Sequence, residues 1–244
     1  MAARVTVKEL KTRLARRATL IEVGGFRPPP DPSASWFGRV NLALPGEAWP
    51  AEGGHSMLPV AQLNLREAPF VPPSLTDLEL ITVFFGRGVL GTETRNGDGW
   101  LVRAYPRVDE LAAMDVPDDV ASGVSEMMSS GMPIRAFPIR YSVLEQDYPD
   151  WEDVAHLEIP SAIADRWEDH FGAARGCKLG GWPSLLQGEI FSTVHDSSPP
   201  EPEFVVQLDM VPKANFVFHA ESLCYLARGT GDARNTWTFD WQCD

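Results

Sequence analysis

The sequence predicts an α+β fold made of two similar antiparallel β-sheet units with a few peripheral helices. The main reason is an internal repeat: residues 60–65 (VAQLNL) resemble residues 205–210 (VVQLDM), and residues 84–88 resemble residues 225–229. The matched segments, together with similar glycine and glutamate positions, are 141 to 145 residues apart. Several weak matches at nearly one spacing indicate a duplicated unit.

We expect the whole chain, residues 1–244, to form a single domain with two β-rich halves. The halves span about residues 35–105 and 177–243, and an acidic, partly helical segment at about 106–176 separates them. The length suits one large domain. A hydrophobic content of 44% with eight tryptophans is enough for a substantial core.

Apolar runs rich in β-branched and aromatic residues predict the strands. In the first half they cover residues 57–65, 78–85 and 100–105, and in the second half residues 204–210, 216–219, 222–227 and 236–242. Residues 96–99 (NGDG) predict a hairpin turn before the strand at 100–105. Residues 134–144 predict a further strand, which Pro138 places at a sheet edge because proline cannot donate to a ladder.

Three helices are predicted. Thr6 and Glu9 form a capping box that begins a short basic N-terminal helix. A second helix is predicted at residues 118–130. The clearest helix is at residues 161–172, with Ser161 as its N-cap, Gly172 as its end, and one apolar face made by Ile159, Ile163, Trp167 and Phe171.

The net charge of −13 is concentrated in the middle of the chain. Residues 109–169 contain 15 acidic and 3 basic residues. Such a field repels nucleic acid phosphates, so direct nucleic acid binding is not expected, and it attracts cationic partners. The alternative is a solvated face that only keeps the protein soluble. No apolar run is long enough for a membrane helix, and the three scattered cysteines predict reduced thiols in the cytoplasm.

Known catalytic and metal-binding patterns are absent from the sequence, so we expect no catalytic residues, metal or cofactor. There is no phosphate-binding P-loop, dinucleotide-binding glycine pattern or serine nucleophile elbow, and no two histidines are four residues apart. Cys177 next to Lys178 has two interpretations. Its thiol pKa could be lowered, or it is a small residue entering a tight glycine turn, which we favour.

Residues 177–187 (CKLGGWPSLLQ) carry a resemblance to a known family, supported by residues 49–50, 61–65, 207–209 and 239–243. Together they resemble the YwqG-like family, a bacterial domain with a duplicated β-rich α+β fold. The resemblance implies an immunity protein, because members of that family resemble inhibitors of nuclease effectors delivered by type VI secretion. One departure is Arg39, which stands where the family usually has the second glycine of a pair.

The first functional hypothesis is therefore an immunity protein that binds a cognate toxin, a basic nuclease effector, and blocks it by stoichiometric occlusion. The acidic segment would be steered to a basic surface. Exposed aromatic residues would be its anchors, although Trp151 could instead pin its loop to the core. The candidate toxin-binding residues are Glu145, Asp147, Tyr148, Asp150, Trp151, Glu152, Asp153, Asp165, Glu168 and Asp169.

The alternative hypothesis is a cytoplasmic small-molecule-binding or regulatory domain with a ligand cleft between the two repeats. Paired glycines allow positive φ and a close approach of the backbone to a ligand. The candidate cleft residues are Gly180, Gly181, Trp182, Gln62 and Gln207. Each also has a structural interpretation: the glycines allow tight strand packing, and the glutamines form internal hydrogen bonds.

Overall fold

Antiparallel strands make up most of the structure, a computed structural model that describes residues 5–91, 94–191 and 202–244. The fold is α+β, as predicted. The strands are β1 Arg16–Val23, β2 Trp36–Phe37, β3 Leu42–Ala43, β4 Ala51–Glu52, β5 His55–Ser56, β6 Leu58–Asn64, β7 Leu80–Phe85, β8 Trp100–Tyr105, β9 Ala112–Ala113, β10 Phe137–Asp147, β11 Lys178–Gly180, β12 Glu203–Asp209, β13 Ser222–Arg228 and β14 Trp237–Cys243.

The α-helices are short: α1 Val7–Leu14, α2 Trp151–Val154 and α3 Ser161–Ala164. Single 3₁₀ turns lie at Leu65–Glu67, Pro73–Leu75, Val108–Glu110, Asp118–Val120, Trp167–Asp169, Pro212–Ala214 and Gly231–Ala233. In the part of the chain described here, no helix has the length and apolar character needed to cross a bilayer.

Ten strands form one continuous sheet in the order β14-β13-β12-β11-β1-β10-β2-β6-β7-β8. The four strands β2, β6, β7 and β8 form a first unit, and β11 to β14 form a second unit in the same order. Between them, β1 pairs with β11 of the second unit and β10 pairs with β2 of the first. Each unit therefore borders the strand that precedes the other unit in the chain, and the pairing of these two strands with each other joins the units.

The two units share their irregularities as well as their strand order. The β6–β7 register shifts between Pro59 and Ala61, and the β12–β13 register shifts between Phe204 and Val206. One residue is thus unpaired at the same place in each unit, a β-bulge of the kind that bends a strand. A shared bulge supports the duplication that the sequence repeat indicated.

The register corrects one detail of the sequence repeat. Ala61 pairs with Val83, and the equivalent Val206 pairs with Leu226. Phe84 of the first unit is therefore equivalent to Ala227 of the second, whereas the sequence repeat had matched Phe84 with Tyr225. A shift of two residues keeps every side chain on the same face of its strand, so the alternating sequence pattern could not detect it.

The inner faces of the two units pack against each other in one core. Phe37 of the first unit contacts Phe216, which precedes β13, with ring centroids 5.2 Å apart. Phe239 of the second unit contacts both Phe85 and Trp100 of the first, at 5.5 and 5.6 Å. Since each of these rings is at most 1% exposed, the core belongs to both units.

A second, smaller hydrophobic cluster lies beneath α1. The predicted capping box is present, since the Thr6 backbone N–H donates to the Glu9 carboxylate and the Glu9 N–H donates to the Thr6 hydroxyl. Leu10 and Leu14 of this helix pack with Val154, Trp167 and Phe171 of the acidic segment. The basic helix therefore covers one side of the acidic segment.

Two of the predicted helices are wrong in extent. Residues 118–130 contain only the 3₁₀ turn Asp118–Val120. The predicted helix at 161–172 is divided into α3 and a 3₁₀ turn, because Arg166 has a non-helical backbone with φ of −132° and ψ of 31°. The N-cap of α3 is Pro160 and not Ser161.

Two strand predictions also need correction. Residues 216–219 form isolated bridges at Phe216 and Phe218 in place of a strand. The strand containing Pro138 lies inside the sheet and not at an edge. Its Pro138 carbonyl accepts the Gly24 N–H, one residue beyond the end of β1. The missing proline N–H thus faces a point where β1 has already ended, so no ladder bond is lost.

Candidate functional site

The acidic segment divides into buried structural carboxylates and exposed free ones. Asp147 ends β10 with its side chain 1% exposed and forms an ion pair of 2.9 Å with Lys178, which is fully buried. The oxygen that pairs with Lys178, Oδ2, also accepts the Trp182 N–H at 2.8 Å. The other oxygen, Oδ1, accepts the Ala174 N–H at 2.8 Å. Asp147 is therefore removed from the candidate toxin-binding set, because its oxygens are occupied inside the protein.

Asp150 also has an internal role. One carboxylate oxygen accepts the Ala173 N–H at 3.1 Å and the other accepts the Leu185 N–H at 2.8 Å. These bonds tie the acidic segment to the loops on either side of β11. Asp150 is half-buried. We therefore interpret it as a structural residue and not as a residue that contacts a partner.

The aromatic anchors proposed from the sequence pack inward. Trp151 contacts Trp167 with ring centroids 5.6 Å apart, and Tyr148 contacts Phe171 at 5.8 Å. Lys11 of α1 lies 5.4 Å from the Tyr148 ring centroid. Both aromatic residues are half-buried. The structure therefore agrees with the alternative in which Trp151 pins its loop to the hydrophobic cluster.

Five of the remaining candidates are exposed. Glu145 pairs with Arg17 at 3.0 Å and Asp169 pairs with Arg166 at 2.7 Å. Glu152, Asp165 and Glu168 are exposed and form no ion pair with any residue that the structure describes. Exposed carboxylates that are not paired with a cation contribute most to a negative surface field. These three residues, which we call the acidic face, form the exposed and unpaired part of the predicted surface.

Asp153 lies between the acidic face and the buried ion pair. Burial, together with the nearby charge of Asp150, raises the pKa of its carboxyl to about 7, although the charge of Arg16 opposes the shift. Its Oδ2 is buried and has no hydrogen-bond partner among the described residues. Asp153 is thus a titratable group inside the protein and not an exposed contact.

Burial of Cys177 bears on the interpretation of its thiol. Burial raises the pKa of the Cys177 thiol to about 12, which contradicts the interpretation of an activated thiol beside Lys178. Burial lowers the pKa of Lys178, and the charge of Asp147 opposes that shift. Cys177 Sγ accepts the Asp209 N–H, just as Ser35 Oγ accepts the Asn64 N–H in the first unit. Cys177 therefore has a structural role.

The second of the paired glycines lies against the buried carboxylate of Asp147. Gly180 and Gly181 have φ angles of +67° and +72°. A Cβ atom on Gly181 would lie 2.2 Å from the Asp147 Oδ2. The indole of Trp182 donates to the Leu14 carbonyl at 2.7 Å, and the Arg16 guanidinium lies 3.4 Å from the Trp182 ring centroid. This turn is built around Asp147.

The two repeated glutamines are fully buried, and the side chain of each is hydrogen-bonded to backbone groups inside the protein. The Gln62 side chain accepts the N–H groups of Asn41 and Leu42 and donates to the carbonyls of Pro32 and Ala34. Gln207 accepts the Ser184 N–H and donates to the Gly176 carbonyl. Both are removed from the candidate ligand cleft, because their polar atoms are already paired.

A cleft of about 540 Å³ does lie beside the paired glycines, with a different lining from the predicted one. Trp182 and the two glutamines do not line it. Its walls come from β1, from the loop after β6 and from the start of β12: Arg16, Arg17, Phe70, Pro72, Pro73, Gly180, Gly181, Glu203 and Phe204. The arginines and Phe70 were missed because nothing in their local sequence patterns connects segments so far apart in the chain.

The cleft contains one cation in an unusual environment. Burial lowers the pKa of Arg16, while the acidic charges of Asp153, Glu203 and Asp147 raise it. The guanidinium stacks on Trp182 and forms no ion pair of 4.0 Å or less with a described residue. Within the described ranges, no group of three or more histidine, cysteine or acidic side chains is placed to hold a metal ion.

Comparisons with known proteins do not assign the chain to a family: no protein-family model matches the sequence, and no curated protein sequence matches it significantly.

Proposed function

We propose that this protein is a cytoplasmic immunity protein of the YwqG-like family that neutralises a nuclease toxin by stoichiometric binding. The observation that carries the proposal is the acidic face, in which Glu152, Asp165 and Glu168 are exposed and form no ion pair of 4.0 Å or less with a residue that the structure describes. A basic partner would be attracted over a long range by this field and oriented by it.

The packing of the segment adds support. The acidic face lies on short helical turns that are fixed by Trp167, whose indole donates to the Pro149 carbonyl at 3.0 Å. The stack of Trp167 on Phe171 at 4.0 Å holds the turns together. A surface held in one conformation binds with a smaller loss of conformational entropy than a flexible one.

The test is co-purification of the tagged protein from its native cell, with and without about 0.5 M salt, because salt screens the attraction between charged surfaces. We expect a basic nuclease in a one-to-one complex that dissociates more readily in high salt. The recovered nuclease is then assayed with purified protein, and we expect its activity to be abolished at equimolar inhibitor.

The contact surface is tested by the triple variant Glu152→Lys, Asp165→Lys, Glu168→Lys. Its matched control, Asp98→Lys, Glu189→Lys, Asp232→Lys, changes the same number of charges at other exposed positions. We expect the first variant to lose inhibition by at least about tenfold and the control to inhibit normally. Equal inhibition by both variants would contradict the proposed surface.

A second candidate function, ligand binding, is favoured by Arg16, which lines the cleft beside Gly180 and Gly181 and whose guanidinium lies over the Trp182 ring. A cation that is not paired with a protein carboxylate can hold a small anion through charge-assisted hydrogen bonds. Thermal unfolding with and without phosphate or citrate, on the wild type and on Arg16→Gln, tests this. Anion-dependent stabilisation lost in Arg16→Gln would support it, and no stabilisation in either protein would contradict it.

A further inference from the structure

The first half of the protein contains a cavity equivalent to the cleft beside Gly180. The cavity has a volume of about 300 Å³ and is lined by Gly38 and Arg39, which correspond to Gly180 and Gly181 in the second half. Gly38 has φ of +73°, close to the +67° of Gly180. The duplicated fold has therefore produced the same pocket twice.

The chemistry of the two pockets is different. Strand β12 contributes Glu203 to the cleft, whereas the equivalent position in β6 contributes Leu58 to the cavity. Phe137 pairs with Phe37, so Ala136 lies beside Gly38 as Ala18 lies beside Gly180. Two residues earlier in each chain segment, Ile134 therefore occupies the place of Arg16. Two charged positions of the cleft, Arg16 and Glu203, are thus occupied by apolar residues in the cavity.

The walls of the cavity suit an apolar ligand. Val40, Trp49, Leu58 and Ile134 are among its lining residues. Val116 also lines it, although it is 53% exposed. A concave site of this volume with mainly apolar walls and one charged group is typical of small-molecule sites.

The single charged lining residue is Arg39. It is exposed, its guanidinium carbon lies 4.9 Å from the Trp36 ring centroid, and its Nε donates to the Asn41 side chain. These two contacts fix the guanidinium at the edge of the cavity. Arg39 forms no ion pair of 4.0 Å or less within the described part of the chain, so its terminal N–H groups can meet an anion.

We propose that this cavity binds a small amphipathic carboxylic acid. The apolar part of the acid fills the space between Trp49, Val116 and Ile134. Its carboxylate accepts hydrogen bonds from the guanidinium of Arg39. Burial of apolar surface supplies most of the affinity, and the ion pair gives the preference for an acid over a neutral compound of the same length. This site is distinct from the acidic face.

Calorimetric titration with octanoate and with octan-1-ol tests the proposal. We expect one octanoate per protein and weaker binding of octan-1-ol. Arg39→Ala should weaken octanoate binding about fivefold, the effect of one exposed ion pair, and leave octan-1-ol binding unchanged. Arg135→Ala, a neighbouring exposed arginine that does not line the cavity, is the matched control and should bind both as the wild type does.

A cavity-filling variant separates binding at this site from binding elsewhere. Ala121 lines the cavity and is exposed, so Ala121→Phe should fill the space and still fold. We expect it to weaken both ligands at least about tenfold. Ala155→Phe is its control, since Ala155 is also exposed and follows a helical turn in the same backbone conformation. Absence of saturable octanoate binding to the wild type, or normal binding to Ala121→Phe, would overturn the proposal. Equal weakening of acid and alcohol by Arg39→Ala would overturn the ion pair.

Discussion

At the residue scale, one buried carboxylate explains why position 181 must be glycine. Asp147 accepts hydrogen bonds from Lys178, Ala174 and Trp182, and Gly181 leaves the space in which its carboxylate lies. A buried ion pair that is fully bonded tolerates little change, because removing one bond leaves charge without compensation.

Gly181→Ala is predicted to lower the free energy of unfolding by about 3–5 kcal/mol, from strain at positive φ and from displacement of the buried carboxylate. Gly54→Ala is the control: its φ is +83° and a Cβ there meets no atom within 4 Å, so it should cost only about 1–2 kcal/mol. Urea unfolding measures both. Equal costs would mean that the approach of Asp147 adds nothing.

Asp153 makes the stability depend on pH. The pKa of its carboxyl is about 7 in the folded protein, and its ordinary value is 3.8. At a pH between these two values, the folded state therefore holds a proton that the unfolded state has released. Stability contributed by this group is complete below about pH 4 and is lost as the pH rises through 7.

Asp153→Asn is therefore predicted to match the wild type near pH 4 and to be more stable by about 1–2 kcal/mol near pH 8, a value reduced for partial exposure to solvent. Urea unfolding across this range provides the measurement. Glu152→Gln, a change on the same helix, should retain the slope of the wild type. A parallel pH dependence for Asp153→Asn and the wild type would show that another group titrates.

At the element scale, a buried glutamine in each unit ties a connecting loop to the sheet. Gln62 forms four hydrogen bonds to backbone groups and Gln207 forms two. Buried backbone groups that lose such partners cost about 1–3 kcal/mol each. The first unit therefore depends more strongly on its glutamine than the second does.

We predict that Gln62→Met lowers the free energy of unfolding by about 3–4 kcal/mol and Gln207→Met by about 2 kcal/mol. Methionine keeps the length of the side chain and removes its polar groups. Urea unfolding of the two variants gives the comparison. A larger loss for Gln207→Met would contradict the assignment of roles from the number of hydrogen bonds.

The strands were more predictable than the helices, for a physical reason. Strands such as β7 and β13 are buried on both faces, so their apolar composition is set locally and is visible in the sequence. The predicted helix at 161–172 has the correct apolar spacing, yet the bond from the Trp167 indole to the Pro149 carbonyl fixes a turn that a continuous helix could not make. Tertiary contacts overrode local periodicity.

Candidate sites were harder to predict than strands, because several residues proposed as binding residues have structural roles. Asp147 and Gln207 are polar residues in a conspicuous pattern, but their partners come from distant segments that the sequence does not bring together. The cavities depend on pairs such as Gly38 with Ile134, whose proximity follows from strand pairing. Only the exposed acids, whose charges need no partner, could be placed from the sequence.

At the scale of the whole molecule, the two central strands make the two units one cooperative structure. Since β1 pairs with β11 and with β10, and β10 pairs with β2, neither unit can unfold without losing its ladder to this central pair. The aromatic contacts between the units add to this coupling. We expect a single unfolding transition, seen at the same urea concentration by tryptophan fluorescence and by far-ultraviolet circular dichroism.

Phe239→Ala tests this coupling most directly, because the ring contacts Phe85 and Trp100 of the other unit and is 1% exposed. We predict a loss of about 3–5 kcal/mol in the free energy of unfolding, the cost of a large cavity in a shared core. Val143→Ala, an exposed position on β10, should cost less than about 1 kcal/mol. If the units were independent, Phe239→Ala would separate the two probes into two transitions. If they form one structure, both probes shift together to lower urea, because the cavity weakens the contact on which each unit depends.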